Sequence, residues 1–168
     1  MIEVLTPRSL DQLDQVRTLM RSFVAWHRDR HVEDLRLIDE YFDAAAFEEE
    51  LARLPGEYAE PDGAILVAYS GSDPAGCVAL RGLDGQACEM KRLFVYPRFQ
   101  GKDIGRALGE SIVRRAKALG YAAMRLDTSI RQNEALALYD WLGFRRIEPY
   151  YELPPALRDW LVFMELPL

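Results

Sequence analysis

Apolar positions follow two periods along the chain, one typical of helices and one of strands. A helical pattern from Leu10 to His27 predicts a long amphipathic helix, which Ser9 can cap. A second helical pattern begins at about Ile104 and stops at Gly120. Its apolar positions are Ile104, Leu108, Ile112, Ala116 and Leu119. We expect this helix to cover one face of a sheet.

Shorter apolar runs bounded by turn residues predict the strands of that sheet. They lie at residues 2–6, 64–69, 75–81, 86–95, 122–127, 144–147 and 162–166. The expected turns are residues 71–74 and 83–85, and the expected further helices are residues 39–54 and a segment from Asn133 to Gly143. Residues 150–160, rich in proline and aromatic side chains, are expected to form a connector. These patterns predict one α+β domain over residues 1–168.

The hexapeptide Gln100-Gly101-Lys102-Asp103-Ile104-Gly105 lies between an apolar strand and a helix. The first N–H groups of a helix have no partner within it, so a glycine-containing turn at this place can bind phosphate. An ordinary tight turn is the alternative for the same glycines. The spacing fits neither a P-loop nor the G-x-G-x-x-G of dinucleotide folds, which argues against ATP and NAD.

The order of motifs resembles the GCN5-related N-acetyltransferase (GNAT) family. The resemblance covers residues 64–166 and is carried by EMKRLFVYPRFQGKDIGRAL at residues 89–108 and NEALALYDWLGF at residues 133–144. It implies a three-layer α/β/α fold of the α+β class, with a mixed, mostly antiparallel sheet flanked by helices. It also implies that the strands near Val95 and Leu126 splay apart, so that the pantetheine arm of acetyl-CoA can enter between them. Acetyl-CoA would be the co-substrate, and no metal would be required.

The resemblance implies a cofactor-binding core over about residues 86–145. Backbone groups of Phe94, Val95 and Tyr96 would follow the pantetheine arm and the thioester carbonyl. The phosphates would lie against Gln100, Gly101, Lys102, Asp103, Ile104, Gly105 and Arg106. The Asn133 amide would contact the cofactor, or Asn133 would serve as the N-cap of its helix.

Asp103 departs from the glycine that the family usually has at this position. Asp tolerates left-handed backbone dihedrals, so the loop shape can be kept. Its carboxylate beside a pyrophosphate would weaken cofactor binding. Alternatively, the carboxylate could cap the following helix and compete for the same N–H groups.

Two residues match catalytic positions of the family. Tyr139 matches the general acid that protonates the leaving thiolate, although a packed helix aromatic is the alternative. Glu89 matches the strand position of a general base, and a solvated strand face is its alternative. The implied reaction is direct attack by the primary amine of a small molecule or peptide in a ternary complex. The alternative function is an acyl-CoA-binding regulatory or partner module with little activity.

The net charge of −6 is unevenly distributed. Residues 1–60 carry 14 acidic and 7 basic side chains, whereas residues 90–117 carry 8 basic and 2 acidic ones. The positive segment suits an anionic cofactor. The acceptor side is expected at about residues 1–60 plus 148–161, where acids could attract a cationic amine or merely solvate the helices. Overall acidity argues against nucleic acid as a partner.

Other sequence features bear on compartment and partners. No stretch reaches the roughly 20 apolar residues of a membrane span, and the N-terminus lacks signal-peptide features. We therefore expect a cytoplasmic protein without membrane contact, either a monomer or a homodimer. Cys77 and Cys88 are expected to be buried thiols, and two histidines give little basis for a metal site.

Overall fold

The computed structural model describes residues 1–84 and 86–168, which form one mixed sheet with helices on both faces. The strands in this part of the chain are Ile2–Leu5 (β1), Ala64–Ser70 (β2), Asp73–Gly82 (β3), Ala87–Val95 (β4), Ala123–Ser129 (β5), Arg145–Ile147 (β6) and Leu161–Pro167 (β7). The helices are Leu10–Arg30 (α1), Leu35–Tyr41 (α2), Ala44–Ala52 (α3), Ile104–Ala118 (α4), Asn133–Leu142 (α5) and Pro155–Trp160 (α6). The strand order is β1-β2-β3-β4-β5-β7-β6.

The central strands β4 and β5 run parallel and separate partway along their length. They pair only at Ala87 with Ala123, Cys88 with Met124 and Glu89 with Arg125, although both continue beyond these pairs. All other neighbouring strands are antiparallel. The expected α+β fold with a splayed central pair is confirmed, and the diverging halves leave a gap with a free strand edge.

A β-bulge bends β4 where the gap opens. Cys77 of β3 pairs with Phe94, but Ala79 pairs with Lys91, so one residue of β3 faces two of β4. Arg92 lies in the bulge with φ +62°, in the left-handed region. Its guanidinium donates to both carboxylate oxygens of Glu50 on α3, at 2.8 and 3.0 Å. The bulge is therefore anchored to a helix on one face of the sheet.

The helices bury apolar stripes on opposite faces of the sheet. On one face, Ile104 and Leu108 of α4 pack with Leu126 of β5 in the larger core cluster. On the other face, Leu19 of α1 and Leu51 of α3 pack with strands β2 and β3. The long first helix begins as expected, because Ser9 and Gln12 form a capping box. This arrangement gives the three layers.

The expectation of a single helix over residues 39–54 is wrong, because the chain forms the two helices α2 and α3 instead. The Asp43 carboxylate accepts a hydrogen bond from the Ala46 N–H at 2.9 Å and caps α3. Asp offers the backbone this alternative to a continuous helix. The connector expected at residues 150–160 also contains a helix, α6, with Pro155 in its first turn.

The turns of the β2–β3–β4 meander differ in how closely they match expectation. The first turn is limited to Gly71 and Ser72, because β3 already begins at Asp73. In the second, the Asp84 carboxylate accepts hydrogen bonds from the N–H groups of Gln86 and Ala87, both at 3.1 Å. The remainder of that expected turn, Gly85, lies outside the described residues.

Among the residues described, no helix is both long enough and apolar enough to cross a membrane.

Candidate active site

The loop between β4 and α4 presents the start of a helix to the gap. Gly101 has φ +79° and Asp103 φ +61°, and α4 begins at the next residue, Ile104. The first helical hydrogen bond runs from the Ala107 N–H to the Asp103 carbonyl at 3.0 Å. The N–H groups of Ile104, Gly105 and Arg106 precede it and point out of the helix end. This end of α4 can bind an anion.

Asp103 has a left-handed backbone, which an aspartate tolerates. Its carboxylate does not cap α4. Within the described residues, its carboxylate accepts no capping hydrogen bond and lies 4.0 Å from the Arg106 guanidinium. The side chain is 80% exposed. The N–H groups of the first turn are therefore available to a ligand, while a negative charge lies beside them.

A cleft of about 470 Å³ extends from this loop along the gap between β4 and α5. The predicted cofactor contacts that line it are Phe94, Val95, Gln100, Gly101, Asp103, Ile104, Gly105 and Arg106. Its walls are largely apolar and include Trp141, whose ring lies 4.7 Å from the Arg106 guanidinium. The structure therefore brings most of the predicted cofactor contacts to one cavity.

Three predicted cofactor contacts lie outside the lining of this cleft. The Tyr96 N–H donates to the Ala75 carbonyl of β3 at 2.9 Å. The Lys102 ammonium lies 5.6 Å from the Phe99 ring. Asn133 is exposed in the first turn of α5, where Gln132 occupies the N-cap position.

A smaller cavity of about 50 Å³, here called the acceptor cavity, is lined partly by the segments expected on the acceptor side. Its polar lining includes Glu89, Lys91, Arg92 and Asp127. Both cavities are lined by the same five residues, which are Phe23, Leu93, Thr128, Gln132 and Tyr139. Two substrates entering from opposite sides would meet at this shared wall.

Tyr139 projects from α5 into that wall and is only 6% exposed. Burial, with a smaller effect from the Asp127 charge, raises the pKa of Tyr139 well above its ordinary value. The phenol therefore stays protonated at neutral pH and can donate a proton to a thiolate. Its ring packs against Phe144, with centroids 5.8 Å apart, which restricts its orientation.

Glu89 is buried, with 2% of its surface exposed, so it does not lie on a solvated strand face. Its Oε1 accepts a hydrogen bond from Arg81 Nε at 2.9 Å, and its Oε2 accepts one from the Tyr150 hydroxyl. Burial and the negative charge of Glu89 raise the pKa of Tyr150. The carboxylate is thus held in a fixed position at the acceptor cavity, between a cation and a phenol.

Asp127 is a site residue that the sequence analysis did not identify. Its carboxylate accepts hydrogen bonds from the hydroxyls of Tyr41 and Tyr151. Burial and the Asp127 charge raise the pKa values of both tyrosines, so they remain donors. An acid next to the expected gap residue Leu126 was the available signal, but Tyr41 reaches it from a helix 86 residues away in sequence.

Comparison with known proteins identifies the class. A model of the acetyltransferase (GNAT) family matches residues 23–144. An uncharacterized N-acetyltransferase of Schizosaccharomyces pombe is 40% identical over 109 residues, which are 64% of this chain and 67% of that protein. N-acetylaspartate synthetase of Danio rerio is 32% identical over 134 residues, which are 77% of this chain and 47% of that protein.

A solved structure shows the same fold. The PaiA N-acetyltransferase of Thermoplasma acidophilum, in complex with coenzyme A, matches with a TM-score of 0.72 and 20% identity, covering 100% of this chain and 99% of that one. The chain belongs to the GNAT family of acetyltransferases, which confirms the resemblance seen in its motifs. It is an acyltransferase.

Proposed function

We propose that this acyltransferase moves the acetyl group of acetyl-CoA to the primary amine of a small molecule or peptide, by direct attack in a ternary complex. The observation that carries the proposal is the pair of cavities that meet at Tyr139. One is elongated and leads to an anion-binding helix end, as the cofactor requires. The other is small and carries charged side chains, which suits an amine acceptor.

Acetyl-CoA would bind with its pyrophosphate at the start of α4 and its pantetheine arm along β4. The free N–H groups of Ile104, Gly105 and Arg106 would hold the phosphates. Backbone groups of successive strand residues point to opposite edges, and the Tyr96 N–H points to β3. The polar groups of Val95 therefore face the gap, where pantetheine can pair with the N–H as an added strand would. The Val95 carbonyl already accepts a hydrogen bond from Gln100 Nε2 at 3.0 Å.

In the reaction, the amine nitrogen attacks the thioester carbonyl carbon and a C–N bond forms. Collapse of the tetrahedral intermediate breaks the C–S bond, and Tyr139 gives its proton to the departing thiolate. Glu89 accepts the proton that the amine loses. Both Glu89 oxygens already accept a hydrogen bond, so this transfer would use a remaining lone pair or a water molecule.

Two-substrate kinetics test the ternary complex. We would measure CoA thiol release while varying acetyl-CoA against primary amines, including free amino acids, polyamines and peptide N-termini, with tertiary amines as the matched control. Direct attack gives intersecting double-reciprocal lines and no acetylated enzyme. Parallel lines with an acetyl group on the protein would contradict the mechanism. Cofactor binding without release from any amine would favour the binding-module alternative.

A further inference from the structure

The charged groups of the acceptor cavity differ in whether they have partners. The Arg92 guanidinium is satisfied by both Glu50 oxygens, at 2.8 and 3.0 Å. Glu89 is satisfied by Arg81 and Tyr150. These bonds hold both groups in place, and Glu89 keeps only a remaining lone pair for the proton transfer proposed above.

The Lys91 ammonium makes no hydrogen bond among the described residues, and its one ion pair there is long. Its nearest carboxylate oxygen is Glu89 Oε1 at 3.9 Å, beyond hydrogen-bond distance, and that oxygen already accepts from Arg81. The side chain is only 15% exposed and lines the cavity. Burial, with a further effect from Arg92, lowers the pKa of Lys91, whereas the charges of Glu89 and Asp127 act in the opposite direction.

Asp127 is an acid of the same cavity that has no ion pair among the described residues. Its carboxylate is hydrogen-bonded by two phenols, but within the described part of the chain no cationic group lies within 4.0 Å of it. Thr128 and Leu93 belong to the wall shared with the cofactor cleft. Asp127 is the residue before Thr128, and Lys91 lies two residues before Leu93. Beside the wall shared by the two cavities, the acceptor cavity therefore presents one cation whose ion pair is long and one anion that is held only by phenols among the described residues.

We propose that the acceptor carries a carboxylate as well as the reacting amine, with Lys91 binding the carboxylate and Asp127 attracting the ammonium group before attack. This inference rests on the proposed function. A cavity of about 50 Å³ has room for only a few water-sized groups, so an amine and a carboxylate that both bind there lie close together, as they do in a free amino acid. The carboxylate could be an α-carboxylate or a side-chain carboxylate.

Matched acceptors test the carboxylate requirement. Each amino acid of a panel is compared with its α-carboxamide and with the amine that lacks the carboxyl group, for example leucine, leucinamide and 3-methylbutylamine. We expect kcat/KM to be about 10- to 100-fold higher for the acid, the range of a charge-assisted hydrogen bond. Aspartate and its two monoamides distinguish the α-carboxylate from the side-chain carboxylate. Equal or better use of the amides would overturn the inference.

Variants assign the effect to Lys91. Lys91→Met should lower kcat/KM at least tenfold more for the acid than for the carboxylate-free amine, and Lys91→Arg should restore part of this difference. Lys117→Met, an exposed lysine on α4, is the matched control. If Lys91→Met lowers kcat equally for every acceptor, Lys91 only balances Asp127 across the cavity and the inference is wrong.

Equilibrium binding separates this inference from the proposed function. In the presence of saturating CoA, the acid should bind with a measurable titration heat that its carboxamide does not show, and Lys91→Met should abolish that heat. Carboxylate-dependent binding without turnover would defeat the proposed reaction but support the acceptor class. Turnover of amines without any carboxylate preference would support the proposed reaction but contradict the inference about the acceptor.

Discussion

Tyr139 lies where the cofactor cleft and the acceptor cavity meet, and its raised pKa keeps it a proton donor. Tyr139→Phe removes only the hydroxyl and keeps the ring that packs on Phe144. We expect kcat to fall about 100-fold or more, the usual contribution of a general acid, with the Kd for CoA changed less than twofold. Steady-state rates and calorimetric titration measure the two quantities.

The matched control is Tyr121→Phe, because the Tyr121 hydroxyl donates to the Asp62 carbonyl and lines neither cavity. An unchanged kcat in Tyr139→Phe, with chemistry shown to limit the rate, would remove the acid role from Tyr139.

Asp103 places a negative charge beside the N–H groups that we assign to the pyrophosphate. Asp103→Asn keeps a side chain that tolerates the left-handed backbone and removes the charge. We expect CoA to bind about two- to fivefold more tightly, with the gain shrinking at high salt. Asp103→Gly should bind at least as tightly, since glycine adopts this backbone without strain.

Glu110→Gln is the control for Asp103, because it removes one exposed acid from the same helix further from its N-terminus. Weaker CoA binding by both Asp103 variants would show that the carboxylate shapes the loop productively. Titration calorimetry at two salt concentrations distinguishes the outcomes.

Residue-scale prediction from the sequence was strongest where one local signal sufficed. The tolerance of Asp for left-handed dihedrals predicted that the loop survives at Asp103, and the structure has φ +61° there. Asp127 and Lys91 could not be singled out, because their importance comes from the partners they have or lack in space. Local sequence does not reveal that the Tyr41 hydroxyl donates to Asp127, or that Arg81 already donates a hydrogen bond to Glu89.

Strand β4 carries the element-scale feature that opens the gap, the bulge at Arg92. Arg92→Met leaves the Glu50 carboxylate buried without its cation. The strain of the left-handed backbone at position 92 does not change, because neither arginine nor methionine is glycine. We expect a loss of about 3–5 kcal/mol in the free energy of unfolding, as for a broken buried ion pair. Urea unfolding measures it.

Arg21→Met is the matched control for the bulge anchor. Arg21 also donates to both oxygens of a glutamate, Glu48, at 2.9 Å, but both side chains are half exposed. Exposed pairs contribute about 0–1 kcal/mol. A loss below 1 kcal/mol in Arg92→Met would mean that the ring contacts with Phe42 and Phe47, not the ion pair, hold the bulge.

Helix α1 carries a pH-sensitive group at its contact with α6. Burial lowers the pKa of His27 to about 4 from its ordinary value of 6.5. Between these values the unfolded chain binds a proton that the folded chain does not, so stability falls as the pH falls through this window. Between pH 7 and pH 5, we expect His27 to account for a loss of about 2 kcal/mol in the free energy of unfolding. His27→Phe should not show this part of the loss.

Phenylalanine preserves the stacking of this side chain on Trp160, where the ring centroids are 5.9 Å apart. The measurement is urea unfolding of both proteins at the two pH values. An identical pH dependence in the two proteins would show that His27 titrates normally and that other groups cause the slope.

Elements were predictable from the sequence where one period continued without a competing signal. Helix α4 has an uninterrupted apolar stripe, and its observed start matches the expectation. The helix break at Asp43 was missed because the apolar pattern on both sides is helical, and only the cap formed with Ala46 interrupts it. The splayed β4–β5 pair came from the family resemblance, since strand order depends on contacts that alternation does not encode.

At the scale of the whole molecule, the fold redistributes the positive charge of residues 90–117. Arg92 turns to Glu50, and Arg115 lies 3.6 Å from a carboxylate oxygen of Glu60. Lys91 faces the acceptor cavity. Arg98 and Lys102, which stack on Phe99, remain near the loop together with Arg106. The positive field at the cleft is therefore smaller than the sequence count indicates but is concentrated beside the start of α4.

Binding of acetyl-CoA would join β4, α4 and α5 across the gap, so its effect should appear in the stability of the entire domain. At about 100 times its Kd, a ligand that binds only the folded state adds roughly 2.7 kcal/mol to the free energy of unfolding. For a chain of 168 residues, this corresponds to a rise in Tm of roughly 5–10 °C. NAD and ATP lack the pantetheine arm that would fill the gap, so they should shift Tm much less at equal concentration. Scanning calorimetry at several acetyl-CoA concentrations makes the measurement, with Tyr139→Phe expected to show the full shift because it retains the cleft. Absence of any shift, together with no titration heat for CoA thioesters, would refute cofactor binding at this cleft.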